Sequence, residues 1–203
     1  MEKIDRINNL KDHMASYWQK LDVLYTSIDV EILEKIVATF LKAYKEGKTI
    51  YFVGNGGSAA TASHFQVDMG FFLRYFVEKR MKVRSLTDHI PFITAIGNDN
   101  SYDDIFVEQM KYNFEKGDVL VAISASGNSN NVVKAVEYAN ELGGTSIGLM
   151  GFKGGKLKEA SQISLHTPNP PKEYGPIEDL HMILDHLLVS YLPKDEEFLE
   201  ISK

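Results

Sequence analysis

The chain has 203 residues, 44% hydrophobic and 25% charged, with a net charge of −6 and no cysteine. That length carries one domain with a sizeable core. The acidity and the lack of any Lys/Arg-rich run argue against nucleic acid as the main partner. Without cysteine there are no disulfides or thiolate metal sites, which fits a reducing compartment. With no apolar run of membrane length and no leader-like N-terminus, the expected setting is cytoplasmic and away from membranes.

Apolar side chains recur with a helical period at Ile4, Ile7, Leu10, Met14, Tyr17, Trp18 and Leu21. They recur again at Val30, Leu33, Ile36, Val37, Phe40, Leu41 and Tyr44. These spacings predict helices over 3–25 and 29–45, the second capped by Asp29 and stopped by Gly47. Tyr17, Trp18, Leu21, Phe40 and Tyr44 offer more apolar surface than a lone pair of helices covers, so the arm (1–46) is expected at an interface between subunits.

From Thr49 short apolar runs alternate with helical patterns. Strands are predicted at 49–53, 82–86, 118–123, 145–149 and 162–166. Helices are predicted at 58–72, 90–97, 102–114, 129–142, 155–160 and 176–192. Apolar strands separated by helices imply a five-stranded parallel sheet covered on both faces, an α/β domain over 47–193. The end, 194–203, reads as a solvated tail.

Two strand-to-helix junctions stand out. After the first strand comes Gly54-Asn55-Gly56-Gly57-Ser58. After the third comes Ser124-Ala125-Ser126-Gly127-Asn128-Ser129, with Asn128 or Ser129 placed to cap the next helix. Glycine lets backbone approach a ligand closely, helix N-termini present unpaired N–H groups, and hydroxyls add donors without charge. Two such loops in one domain point to a phosphorylated small molecule. Gly54 to Ala59 also fits the looser G-x-G-x-x-A dinucleotide fingerprint. That reading needs an acid closing the second strand, and the sole candidate, Asp88, falls late; no nucleotide cofactor is expected.

His64 and Asp68 share a helical face just past the first loop, a spacing suited to a metal or to acid/base work. The last helix gathers Glu178, Asp179, His181, Asp185 and His186 in apolar surroundings. A capping role accounts for one acid near the helix start, but buried imidazoles and carboxylates need partners.

Together these motifs, with Gly97-Asn98-Asp99, resemble the sugar isomerase (SIS) domain, in its phosphoheptose isomerase branch, across roughly residues 30–192. The resemblance implies a three-layer α/β/α sandwich, an N-terminal helical pair, and a homotetramer with shared active sites. It implies interconversion of a ketose and an aldose phosphate through an enediol. Phosphate contacts map to Ser124, Ser126 and Ser129, within a binding set that includes Gly127 and Asn128. Asn55, Gly56, Gly57 and Ser58 map near the sugar, and Asn98 and Asp99 to its hydroxyls. The catalytic pair maps to Asp68 and His186, and a zinc site to His64, Asp68, Glu178 and His186.

Four positions depart from the branch. Asp68 replaces a glutamate, Ala125 a threonine, Gly175 an aspartate and Glu178 a glutamine, so the resemblance does not carry heptose selectivity with it. The alternative from another class is a non-catalytic SIS module that senses phosphosugars or binds a replication initiator. Relatives of the latter kind lose the carboxylate at the position of Asp68, which this chain retains.

Overall fold

The computed structural model describes residues 3–203. Helix α1 (Lys3–Thr26) and helix α2 (Val30–Lys45) precede strand β1 (Thr49–Gly54). The Asp29 carboxylate caps α2, accepting from the N–H groups of Glu31 at 3.0 Å and Ile32 at 3.2 Å. Gly47 ends the helix region at φ +67°, which glycine adopts without strain.

Then follow α3 (Gly57–Gly70), β2 (Lys82–Ser85), α4 (Ile90–Asp99), α5 (Val107–Asn113), β3 (Val119–Ser124) and α6 (Asn130–Glu141). The chain continues with β4 (Thr145–Met150), α7 (Gly155–Ala160), β5 (Ile163–His166), α8 (Tyr174–Tyr191) and α9 (Glu196–Ile201). All strand pairs are parallel, in the order β2-β1-β3-β4-β5.

Alternation along the strands builds two cores. Ile50, Phe52, Val119, Val121 and Ile123 face a cluster with α2, α3 and α8. Tyr51, Val53, Leu120 and Ala122 face another with α5, α6 and α7. A third, smaller cluster joins α1 to α8 through Leu21, Leu24, Ile177 and Leu180. The result is the expected three-layer sandwich with five parallel strands.

Three features differ from the sequence reading. The helix expected over 102–114 is split into a 3-10 turn at Tyr102–Asp104 and α5, because Ile105 and Phe106 turn inward and bury fully. The expected tail is ordered: Asp195 caps α9 by accepting from Phe198 N–H at 3.0 Å. The Phe198 ring is wholly buried, 5.6 Å from that of Tyr44. Phe198 is the main anchor, since burying a Phe yields roughly 1.5–3 kcal/mol; Ile201 packs on the same core, and the Ser202 carbonyl accepts from Glu78 N–H at 3.0 Å. Finally, Leu21, Phe40 and Tyr44 are buried within the chain itself rather than left for a partner. Trp18 is 68% exposed and Ile4, Leu10 and Met14 are also exposed.

Candidate active site

In an open parallel sheet, ligands bind beyond the carboxyl ends of strands at the point where the winding reverses. Here β1 lies between β2 and β3, so the reversal falls between β1 and β3. Gly54 is in register with Ile123, so both Gly/Ser-rich loops leave the sheet at the same level.

The Asn55 and Asn131 side chains lock the loops together. Asn55 Nδ2 donates to Asn131 Oδ1 at 2.8 Å, and Asn131 Nδ2 returns a bond to Asn55 Oδ1 at 3.0 Å. The Tyr102 hydroxyl donates to the same Oδ1 at 3.0 Å. Asn55 is thus committed to the scaffold as well as lining the cleft. Asn131 and Tyr102 went unnoticed in the sequence because an amide-to-amide clamp has no spacing signature.

The β3–α6 loop is wound tightly on itself. Gly127 N–H donates to Ser124 Oγ at 3.1 Å, and Asn128 N–H to Ser126 Oγ at 3.2 Å. Asn128 Oδ1 accepts from Lys156 N–H at 3.2 Å, tying the loop to α7. Gly127 has φ +66°, and a Cβ there would lie 1.9 Å from the Gly154 carbonyl oxygen. Gly127 and Asn128 therefore shape the loop rather than line the cleft. Ser129 takes the N-cap position of α6, yet its side chain makes no cap bond. Its Oγ stands 3.4 Å from that of Ser124. Gly56, at φ +55°, opens α3 without a side-chain cap as well.

Two uncapped helix starts therefore border one cleft of about 290 Å³. It is lined by Asn55, Gly56, Gly57, Ser58, Ile123, Ser124, Ala125, Ser126, Ser129, Tyr174 and Glu178. Unpaired N–H groups, dipole ends and hydroxyls converge there with no cation, which suits an anion that must come and go. Asn98 and Asp99 do not line it; they are exposed at the end of α4, where Asn98 Nδ2 donates to Asp99 Oδ1 at 2.7 Å.

The α3–α8 pair carries the ionisable residues. His64, Asp68, Asp185 and His186 each place one ligand atom within 4.8 Å of the others. His64 Nε2 lies 3.5 Å and His186 Nε2 4.0 Å from Asp68 Oδ2. Asp185 is fully buried with neither oxygen hydrogen-bonded. Burial, assisted by the nearby charge of Asp68, pushes its carboxyl up to about 8. An unpartnered buried carboxylate beside two imidazoles and a second carboxylate fits a divalent cation, since nitrogen and oxygen donors at these separations suit zinc.

Glu178 stands apart from this quartet. It lies eight residues before His186, a rise of about 12 Å along the helix, and belongs to the cleft. The sequence placed Asp185 on the last helix among other ionisable residues, but not against His64 and Asp68, because that depends on how α3 packs against α8. His181 is buried with both ring nitrogens unpartnered, and burial lowers it to about 4. Gly175, where the resemblance expects an aspartate, faces α1: a Cβ there would lie 2.9 Å from the Tyr17 hydroxyl. That hydroxyl donates to Asp179 at 2.5 Å, so the small residue lets α1 close on α8.

The family signature described as "SIS domain" matches residues 5–151. The phosphoheptose isomerase of Aliarcobacter butzleri is 38% identical over 81% of this chain and 86% of its own length. That of Trichlorobacter lovleyi is 37% identical over 87% and 88% respectively. The structure of phosphoheptose isomerase from Neisseria gonorrhoeae superposes with a TM-score of 0.79 at 30% identity, over 90% of this chain and 96% of that one. With the fold, the paired loops and these relatives in agreement, the chain belongs to the SIS domain family, in its phosphoheptose isomerase branch.

Proposed function

We propose that the chain isomerises a sugar phosphate between its ketose and aldose forms, with a heptose 7-phosphate as the first substrate to test. One observation carries the reading: two uncapped helix N-termini and Ser124, Ser126 and Ser129 enclose a single cleft that also holds a carboxylate. The serines and the α6 amides take the phosphate. Ser58 and the Gly56–Gly57 backbone face the sugar. Excluding water from this cleft strengthens each of those bonds.

His64, Asp68, Asp185 and His186 would hold a divalent cation, zinc by their donor chemistry. Bound there, such an ion supplies positive charge that stabilises a developing oxyanion. Asp68 places Oδ2 beside the Nε2 atoms of both imidazoles, at 3.5 and 4.0 Å; this supports a cation-holding role for the pair that the resemblance assigns to proton transfer. Asp185 supports it in the place expected of Glu178. Asn98 and Asp99, exposed and outside the cleft, fit contacts made across the subunit boundaries of a homotetramer, to which the uncovered apolar stripe of α1 also contributes. Among the described residues no helix is long and apolar enough to cross a membrane, in keeping with a cytoplasmic sugar-phosphate enzyme.

The test is proton–deuterium exchange at C1 and C2 of ketose and aldose phosphates of five to seven carbons, followed by NMR in D₂O. Exchange with one of them is the expected result. Tight phosphosugar binding with no exchange on any would overturn the isomerase reading.

A further inference from the structure

An isomerase must take a proton from carbon, and among the residues lining the cleft Glu178 is the sole carboxylate, with no imidazole beside it. Its carboxylate stands directly over the start of α3: a Cβ built on Gly57 would lie 2.3 Å from Oε2 and 2.9 Å from Oε1. Glycine at position 57 leaves the room it occupies. Nothing holds the group there. Among the described residues it forms no hydrogen bond or ion pair, not even to the open amides of α3, so it is neither a helix cap nor half of a salt bridge. Desolvation, with the charge of neighbouring Asp179 second, raises its pKa, toward the range where a carboxylate is a more effective base.

Asp68 is differently occupied. It lies about three helical turns along α3 from Gly57, beside His64, His186 and the buried Asp185. Its short side chain and its two imidazole neighbours commit it to that quartet. Asp185 completes the quartet from α8, and so leaves Glu178 free for the cleft. A carboxylate that nothing restrains, placed where the sugar must lie, has the freedom that proton transfer between adjacent carbons requires.

On the reading that this cleft is an isomerase site, we infer that Glu178 is the catalytic residue that moves the carbon-bound proton, in place of Asp68. Its carboxylate removes the proton from the carbon next to the carbonyl. The C–H electron pair becomes the enediol double bond, and the carbonyl π pair moves to oxygen. The proton released by the neighbouring hydroxyl reaches that oxygen, and Glu178 returns its proton to the former carbonyl carbon. Atoms and electrons balance with no co-reactant.

The experiment compares Glu178→Gln with Asp185→Asn in the intact protein, scoring turnover and exchange together with metal content after dialysis against zinc. Glu178→Gln keeps the size and hydrogen-bonding reach of the side chain but cannot accept the proton. Its turnover and C–H exchange are expected to fall about a hundredfold or more, with KM within about threefold and zinc content unchanged. Asp185→Asn is expected to lose zinc. Turnover by Glu178→Gln within about threefold of an active parent overturns the assignment, as does loss of zinc from that variant, which would make Glu178 a ligand. A parent that exchanges no proton on any sugar phosphate instead overturns the isomerase reading itself, and the role of Glu178 with it.

Discussion

The Nε2 atoms of His64 and His186, 122 positions apart in the chain, meet at 3.1 Å. Two imidazoles that close cannot both carry a proton on those atoms. Either one donates to the other, or both aim lone pairs at a common cation. Asp68 beside them and the dry carboxylate of Asp185 beneath favour the second arrangement. Divalent zinc or cobalt should therefore stabilise the protein. A ligand at a hundred times its Kd contributes about 2.7 kcal/mol, which for a chain of this size is a rise of roughly 5–10 °C in Tm. Differential scanning fluorimetry of EDTA-stripped protein checks it. His64→Ala should abolish the rise, and an unchanged rise in that variant would place the ion elsewhere.

The β3–α6 loop depends on Gly127. Gly127→Ala puts a methyl group 1.9 Å from the Gly154 carbonyl oxygen while holding a non-glycine residue at φ +66°. The loop cannot keep its path. The variant should lose phosphate binding altogether and about 2–4 kcal/mol of stability. Urea unfolding and titration with inorganic phosphate read the two effects. A variant that binds phosphate as the parent does would mean that the loop tolerates another conformation.

Ser129 offers a milder test of the same loop. Its hydroxyl is free of any capping bond and lines the cleft, so Ser129→Ala removes one donor to a charged ligand and leaves the fold intact. A hydrogen bond to a charged group contributes about 1.5–3 kcal/mol. KM should rise roughly tenfold to a hundredfold with Tm unchanged. A fall in Tm with unaltered KM would make the hydroxyl structural.

The fold was legible in the sequence where periodicity decides it: five short apolar strands and the helices between them carry their own pattern. The phosphate loops were legible because glycine and serine mark backbone that must approach an anion. What escaped depends on packing between distant elements. Asp185 joins His64 only because α3 lies against α8, and Asn55 meets Asn131 only because β1 pairs with β3. The order of α9 escaped for a different reason: its acidic composition outweighed its few apolar anchors, chiefly Phe198 with Ile201 beside the same core.

That anchor makes the C-terminus a structural element. Phe198 is fully buried against Tyr44, so Phe198→Ala should cost about 3–5 kcal/mol, the usual range for emptying an aromatic site. Chain ending at residue 193 should suffer at least as much. Thermal unfolding of both variants checks the point, and parental stability in either would mean that α9 contributes no packing.

His181 and Asp185, one turn apart on α8, are both buried without partners, and their pH effects oppose each other. Burial lowers His181 from 6.5 to about 4, so between those values the unfolded chain binds a proton that the folded chain refuses. Stability due to this group is present above pH 6.5 and is lost as pH falls toward 4. Asp185 runs the other way. Its carboxyl is raised from 3.8 to about 8, so the folded chain keeps a proton that the unfolded chain releases. Its contribution is present below 3.8 and is lost as pH rises toward 8. In metal-free protein the two slopes therefore cancel over the shared window, and Asp185 alone acts above it. His181→Leu should leave a stability that falls as pH rises from about 4 to 6.5, by up to about 3 kcal/mol relative to the parent. Asp185→Asn should tilt the profile the opposite way over the same range. Urea denaturation in chelator across that range reads the difference curves. If both variants tilt in the same direction, the two groups find partners in the assembled protein, and their burial in the single chain does not set their protonation.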